Sequence, residues 1–461
     1  MEPAAQTSAA RISNADELCS HGLMALRQDA LGIAGAGLTA CDGGRAASLA
    51  VSTTAGGILI SGREYRLGPE ARVFVLGAGK ASLPIATSLE EILGDRIDGG
   101  AVILRRGETG RLGRIETFIA DHPLPSEASL EGARRLVELA DAVGPEDLVI
   151  ACFTGGSSAL ACLPPESVSF EEKRGLHEML LGSGMPIAEV NSVRKHVSMI
   201  KGGRLAERIA PARIVNLTVS DVAGDALDVI TDPTVADTST VADAVSVLKD
   251  YELWDQLPAS VASHLLSPGA ESPDLSEVDV TTDLLVTGIG VCQTMVEEAR
   301  SRGYVPVILT TTLEGEAREM GRFIADIALS SSTDSYPFEP GTVLLGCGGE
   351  SSVAIAGKGE FGNGGPGQEA AIAAALELDG APVVTLFMDT DGSDGGTDAA
   401  GAIADGYSAG RASAAGLDLR KALMRHGSRE PLEALGDLIL TGATGTNVND
   451  LFVAVIGEPA G

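Results

Sequence analysis

Ten short apolar runs rich in β-branched residues recur along the chain, each followed by turn residues or a helical pattern. They are RVFVLG (72–77), GAVIL (100–104), LVIACF (148–153), RIVNLTVS (213–220), DLLVTG (283–288), VPVILT (305–310), TVLLGC (342–347), VVTLFMDT (383–390), DLILTG (437–442) and FVAVIG (452–457). Strands that alternate with helices in this way specify an α/β protein with mostly parallel sheets. With 461 residues the chain has the length for two or three domains, and two is the natural expectation. The stretch Leu257–Thr282 carries several proline turns and no long periodic run. It marks a boundary between an N-terminal domain, 15–275, and a C-terminal domain, 276–461. A helix-like segment, 15–34, precedes the first strand and can pack on either.

Hydrophobic residues make up 44% of the chain but aromatics only 3%, and there are 58 glycines, so large aliphatic cores joined by tight loops are expected. A formal net charge of −31 argues against nucleic acid and anionic membranes as partners, since both need a basic footprint. The first residues, MEPAAQTSAARISNADEL, lack a basic region followed by an apolar one, and no run of roughly 18 apolar residues occurs. The expected compartment is the cytoplasm. The six cysteines form no C-x-x-C pair and read as reduced core residues, and the histidines are equally dispersed. Any metal should therefore be oxygen-bound.

Chemistry concentrates where strands end. VFVLGAGKAS (73–82) brings Gly77, Gly79 and Lys80 to a helix start, which suits either an anion site or a tight β–α turn. It matches neither the Walker A loop nor the dinucleotide fingerprint, whose third glycine would fall at Ser82. TGGSSALA (154–161) repeats the arrangement with Gly155, Gly156, Ser157 and Ser158. It approaches the G-x-S-x-G elbow of hydrolases, but Ala159 stands in place of the last glycine and no compelling acid and histidine partners follow.

The segment NSVRKHVSMIKGGRLAERI (191–209) gathers Arg194, Lys195, His196, Lys201 and Arg204. Helical spacing puts Arg194 and Lys201 on one face, which is either solvated or functional. The pair Gly202–Gly203 favours close approach of some other group. Asp221, behind a strand end, is a candidate general base or metal ligand, or a helix N-cap.

Two further glycine-rich stretches, 344–371 and 441–450, carry the polar residues Glu350, Thr446 and Asn447. MDTDGSDGGTDAAGAIAD (388–405) sets Asp389, Asp391, Asp394 and Asp398 among Gly392, Gly395 and Gly396 between a strand and a helix-like Ala399–Ala404, the place where α/β sheets bind ligands. Its spacing does not fit a calcium loop.

The strings GAGKA (77–81), DHPLP (121–125), TGGSSAL (154–160), NSVRKHVSMIKGGRLA (191–206), SDVAGD (220–225), DPTVAD (232–237), GEARE (315–319), GGESSV (348–353), DGSDGGTDAAGA (391–402) and TGATGTNVND (441–450) occur in order over nearly the whole chain. Together they resemble the glycerate 2-kinase family, the proteins with a MOFRL C-terminal domain once labelled hydroxypyruvate reductases. The resemblance implies a Rossmann-like parallel-sheet domain and a smaller mixed-sheet α/β domain facing across a cleft.

It also implies ATP- and Mg²⁺-dependent phosphorylation of the 2-hydroxyl of D-glycerate. Lys80 would contact phosphate and Asp221 would activate the alcohol. The residues expected to bind substrate and nucleotide are Gly77, Gly79, Gly155, Gly156, Ser157, Ser158, Arg194, Lys201, Gly202, Arg204, Glu350, Thr446 and Asn447, with Asp391 and Asp394 as carboxylates for the metal. Many relatives carry an arginine where this chain has Pro366. Three alternatives are kept: a kinase for another small sugar acid, an NAD(P)H-dependent hydroxypyruvate reductase, and a non-catalytic binding protein.

Overall fold

The computed structural model describes residues 12–108, 110–219, 227, 229–349, 351–353 and 361–458. Its contacts separate two compact units. One comprises Gly43–Ser220 and continues to Leu285; the other joins the described residues up to Asp42 with those from Val286 onward.

In the first unit, strands β1 (Val73–Ala78), β2 (Gly99–Arg105), β3 (Glu116–Ala120), β4 (Leu148–Phe153), β5 (Arg213–Val219) and β6 (Val280–Val286) form one sheet in the order β3-β2-β1-β4-β5-β6. The pairs β1–β2, β2–β3, β1–β4 and β4–β5 are parallel. Every residue of β1 and β4 is buried, as in central strands of a parallel sheet, and this explains why both read as unbroken apolar runs.

The chain builds outward from β1 to β3, then returns to place β4 on the other side of β1. That reversal is the switch point at which doubly wound sheets bind ligands. Helix Ser82–Leu93 follows β1, and helix Glu127–Asp141, opened by a capping box between Ser126 and Ser129, precedes β4.

A second apolar cluster in this unit includes Leu176, Val193, Leu248, Val261 and Leu265, drawn from four helices. The last two belong to helix Ala259–Leu265, inside the proline-rich stretch expected to separate the domains. Because that helix packs here and β6 hydrogen-bonds to the parallel sheet, the unit extends to Leu285 rather than 275.

The second unit holds β7 (Val305–Thr310), β8 (Thr342–Gly349), β9 (Val383–Asp389), β10 (Gly401–Asp405), β11 (Leu438–Ile439) and β12 (Asp450–Ile456), in the order β7-β8-β12-β9-β10-β11. Only β7–β8 is parallel; β8–β12, β12–β9, β9–β10 and β10–β11 are antiparallel. Helices Ala317–Asp334 and Pro366–Glu377 approach each other closely: a Cβ on Gly321 would lie 2.1 Å from the carbonyl oxygen of Ala370.

The helix-like Ala399–Ala404 is instead the hairpin strand β10. Alanine favours helices in isolation, but Ala402 and Ala404 are buried in the core beneath the alanine-rich helix, where small side chains are needed. The segment 15–34 is two helices, Ala15–Leu18 and Met24–Ala40, and both belong to this second unit. The buried Arg27 anchors the longer one, donating to Asp405, to Asp437 at 2.8 Å and to the carbonyl of Leu18 at 3.2 Å. Among the described residues no helix is long and apolar enough to cross a membrane.

Candidate functional site

The loops behind β1 and β4 meet at the switch point of the parallel sheet. Thr154 N–H donates to the carbonyl of Ala78 at 2.9 Å, Lys80 N–H to that of Gly155 at 2.9 Å, and Ala81 N–H to the hydroxyl oxygen of Thr154 at 3.0 Å. These bonds need glycine. Gly79 has φ +131° and a Cβ there would sit 2.3 Å from Thr154 Oγ1; Gly77 lies within β1, where a Cβ would sit 2.3 Å from Cys152 Sγ. Gly77 thus serves strand packing, and Gly79 the turn.

Gly156 has φ +87°, and a Cβ would be 3.2 Å from the His122 ring and 3.6 Å from Lys80 Cγ. Lys80, His122 and the TGGSS loop are therefore neighbours. Ser157 N–H donates to the carbonyl of Thr154 at 3.0 Å, while the Ser158 hydroxyl has no hydrogen-bond partner among the described residues.

The basic segment is neither one helix nor a solvated face. Helix Ile187–His196 ends before Val197, the next begins at Arg204, and between them Gly202 and Gly203 have φ +62° and +81°. A Cβ on these glycines would meet Ser272 Oγ at 2.9 Å and Leu275 Cδ1 at 2.6 Å, so the group that must come close is the segment around 270–275.

Arg194, Lys195, His196, Lys201 and Arg204 are all buried, each with a different task. Lys195 pairs with Asp237 at 2.5 Å. Burial works to raise that carboxyl's pKa, but hydrogen bonds from Lys195, Ser239 and Ser272 hold it below its usual value. Arg204 donates to the carbonyls of Ala270 and Glu271, both at 2.8 Å, and to those of Lys195 and Lys201 at 3.2 and 3.3 Å.

Lys201 donates to the carbonyl of Ala161 at 2.5 Å, and Lys173 donates to that of Arg194 at 3.4 Å. These two lysines, Arg194 and His177 act electrostatically on one another, with the Cys162 sulfur beside the three cations. Burial lowers Lys173 to about 7, Lys201 to about 8 and Arg194 to about 10, and Cys162 partly opposes all three shifts. Arg194 Nε and both ring nitrogens of His177 have no partner among the described residues.

In the second unit three glycine-rich stretches converge at one end of the mixed sheet, where β8 and β9 finish and β12 starts. Thr390 Oγ1 donates to the carbonyl of Asn449 at 2.8 Å and accepts from Val448 N–H at 2.8 Å, and Thr444 Oγ1 donates to the carbonyl of Thr390 at 2.6 Å. Ser351 N–H reaches Asp450 Oδ2 at 2.8 Å. Thr446 donates to the carbonyl of Cys41, and Asn447 Oδ1 accepts from Asn449 N–H at 3.2 Å.

Asp391 and Asp394 differ in their surroundings. Asp391 Oδ1 accepts from Ser393 N–H at 2.9 Å. The oxygens of Asp394 accept from Gly367 and Gln368 N–H, both at 2.9 Å, at the start of helix Pro366–Glu377. Pro366 fits that first turn, where no intrahelical N–H is needed. Burial pushes the Asp394 carboxyl up to about 6 despite those two donors. Among the described residues no group of three or more His, Cys, Asp or Glu side chains could hold a metal ion.

The expected Asp221 and Glu350 lie outside the described residues. Sequence reasoning passed over His122, Thr154, Asp450 and Asp237, although all four fall within the strings DHPLP, TGGSSAL, TGATGTNVND and DPTVAD. Asp232, in that last string, is structural: it accepts from Asn216 Nδ2 at 2.8 Å and from the main chain and hydroxyl of Thr234 at 2.6 and 2.7 Å.

Comparison with known proteins agrees with this arrangement. Residues 29–266 match a domain of unknown function, DUF4147, and residues 343–450 match the MOFRL family. The chain is 37% identical over 443 residues to the glycerate 2-kinase of Pyrococcus horikoshii, covering 95% of this chain and 99% of that protein. It is 41% identical over 389 residues to the D-glycerate 2-kinase of Thermotoga maritima, covering 84% and 91%. The crystal structure of a Thermotoga maritima glycerate kinase superposes with a TM-score of 0.79 at 37% identity, covering 92% of this chain and 97% of that one.

Fold, loops and relatives define an α/β phosphotransferase whose acceptor is an alcohol group. More narrowly, the chain belongs to the glycerate 2-kinase family, with a MOFRL domain as its C-terminal part.

Proposed function

We propose that this chain transfers the terminal phosphoryl group of ATP to the 2-hydroxyl of D-glycerate, giving 2-phosphoglycerate and ADP, in the cytoplasm and with Mg²⁺. The observation that carries the reading is the stitched pair of loops at the switch point, which fixes Lys80 beside Gly156 and His122. Phosphoryl transfer passes through a loose, charge-spreading transition state, so positioning and fixed positive charge do most of the work. Lys80 supplies the charge, and the loop N–H groups and the Ser158 hydroxyl supply donors to phosphate oxygens. Asp221, assigned from the family motif alone, would accept the proton of the 2-hydroxyl.

Arg194 and Lys201 would favour an acid or phosphate near the basic segment. Arg204 contributes by shaping that segment, since its guanidinium is occupied by main-chain carbonyls. Mg²⁺ is held in such enzymes by one or two carboxylates together with substrate phosphates, so a complete protein cage is not required. Asp391 fits that role better than Asp394, whose oxygens already serve two N–H groups. When bound, the ion neutralises charge on the phosphate oxygens.

The test is incubation with MgATP and D-glycerate, following ADP release, beside a parallel assay with NADH and hydroxypyruvate. ADP release that needs glycerate, without NADH oxidation, supports the kinase. Steady NADH oxidation without ATP use overturns it.

A further inference from the structure

Two residues that no motif marks, Lys173 and His177, stand one turn apart at i and i+4 on one face of helix Phe170–Leu181. Short contacts bring them together with the basic segment. Lys173 Nζ reaches the carbonyl of Arg194 at 3.4 Å, and Lys201 Nζ reaches that of Ala161 at 2.5 Å. A single Arg204 nitrogen, Nη1, bonds the carbonyls of Lys195 and Lys201 at 3.2 and 3.3 Å, so the main chain beside Arg194 lies close to that of Lys201. Met199 N–H donates to the carbonyl of Leu163 at 3.0 Å and holds this segment against the one that follows the TGGSS loop.

None of Lys173, His177, Arg194 and Lys201 is more than 6% exposed. Lys195 has Asp237 as its partner, but among the described residues no carboxylate pairs with Lys173, Arg194 or Lys201. Their donors are also in surplus. Each lysine ammonium carries three N–H donors and makes one hydrogen bond among the described residues. Arg194 Nη1 reaches Asn191 Oδ1 at 3.4 Å, while its Nε and both ring nitrogens of His177 have no partner among those residues. A role for Lys173 in capping helix Ile187–His196 explains its one bond but leaves His177 and Arg194 Nε unanswered. Cations gathered in a core without a counter-charge cost stability, and such an arrangement persists where binding needs it.

We propose that Lys173, His177, Arg194 and Lys201 form a buried binding site for a small oxyanion, a carboxylate or a free phosphate. The site deepens the acid-favouring role given above to Arg194 and Lys201 and rests on that reading for those two residues; Lys173 and His177 join them through the contacts on their helix. Ala161, which holds Lys201, follows the short helix Ser157–Leu160 that Gly156 opens beside Lys80. The carboxylate of the acceptor acid is therefore one source of the oxyanion, and free phosphate is the other. Burial lowers Lys173 to about 7, Lys201 to about 8 and His177 well below its usual value, with Cys162 and Arg204 the other ionisable groups that act on the lysines or on Arg194. An anion favours the charged form of both lysines, so its binding takes up protons and weakens as pH rises toward 9.

The test is titration calorimetry at pH 7 and 9 on wild type, Lys173→Met, His177→Leu and Arg194→Gln, with D-glycerate, inorganic phosphate, glycerol and a non-hydrolysable MgATP analogue. Denaturant unfolding of each protein at pH 7 accompanies it. Wild type should bind D-glycerate or phosphate but not glycerol, and bind it more weakly at pH 9. Lys173→Met and His177→Leu should each lower that affinity by about 10- to 100-fold, with Lys173→Met no less stable than wild type. Glycerate that phosphate does not displace identifies the acceptor as the source; phosphate that glycerate does not displace identifies free phosphate. If only Arg194→Gln weakens binding, the role given to Arg194 above stands and the proposal fails. A Lys173→Met protein that is less stable than wild type marks a helix cap and also overturns it. If wild type binds neither anion, the proposal and the acid-favouring role fail together, while binding of the MgATP analogue still reports separately on the nucleotide site.

Discussion

The backbone N–H of Lys80 donates to the carbonyl oxygen of Gly155 at 2.9 Å, which ties the loop behind β1 to the loop behind β4 across the switch point. The ammonium group of Lys80 is therefore placed by main-chain geometry as well as by its own rotamer. Two substitutions separate these effects. Lys80→Met removes the charge and should lower kcat by roughly 100-fold or more with little change in unfolding temperature. Gly79→Ala keeps the charge but puts a Cβ 2.3 Å from Thr154 Oγ1 at φ +131°. It should cost about 1–3 kcal/mol of stability and also lower turnover. Steady-state kinetics with thermal unfolding of both variants checks the pair.

Arg194 and Arg204 should behave differently although they lie in one basic segment. Arg204→Ala strips several buried carbonyls of their donor and should destabilise the protein by about 2–4 kcal/mol. Arg194, whose Nε has no partner among the described residues, is the better candidate to meet the substrate acid. Arg194→Ala should reduce kcat/KM for glycerate by about 30- to 1000-fold. Equal loss of stability in both variants would count against this division.

The aspartate loop offers a similar separation. Asp394→Ala should lower stability by about 2–4 kcal/mol, because Gly367 and Gln368 N–H lose their buried acceptors. Asp391→Ala should instead raise the Mg²⁺ concentration needed for half-maximal activity. A Mg²⁺ titration together with chemical denaturation distinguishes the two outcomes.

Lys173 gives stability a pH dependence of definite sign. Burial lowers its pKa from 10.5 to about 7 in the folded protein. Between those values the unfolded chain binds a proton that the folded chain does not, so stability contributed by this group rises with pH across that window. Lys201, lowered to about 8, adds to the effect above that pH. Lys173→Met should therefore be more stable than wild type by about 1–4 kcal/mol at pH 7, with the advantage shrinking toward pH 10. Denaturant unfolding at pH 7, 8 and 9.5 measures it.

Much of this architecture can be read from the chain because all ten apolar runs contribute to strands, and the buried central strands carry few polar residues to obscure the pattern. The failures were non-local. Residues 399–404 have helical composition, yet Ala402 and Ala404 pair with β9 and lie in a core that admits only small side chains. The spacing of Arg194 and Lys201 suits one helix face, but two left-handed glycines intervene to admit the segment around 270–275. The bond from Gly367 to Asp394 spans 27 residues.

The central claim is the position of the phosphate in the product. Protein incubated with ATP, Mg²⁺ and D-glycerate should yield 2-phosphoglycerate, which enolase converts directly to an absorbing product without phosphoglycerate mutase. Immediate enolase-dependent absorbance that disappears in Lys80→Met is the expected result. A product that enolase accepts only after mutase is added would be 3-phosphoglycerate, and would contradict transfer to the 2-hydroxyl.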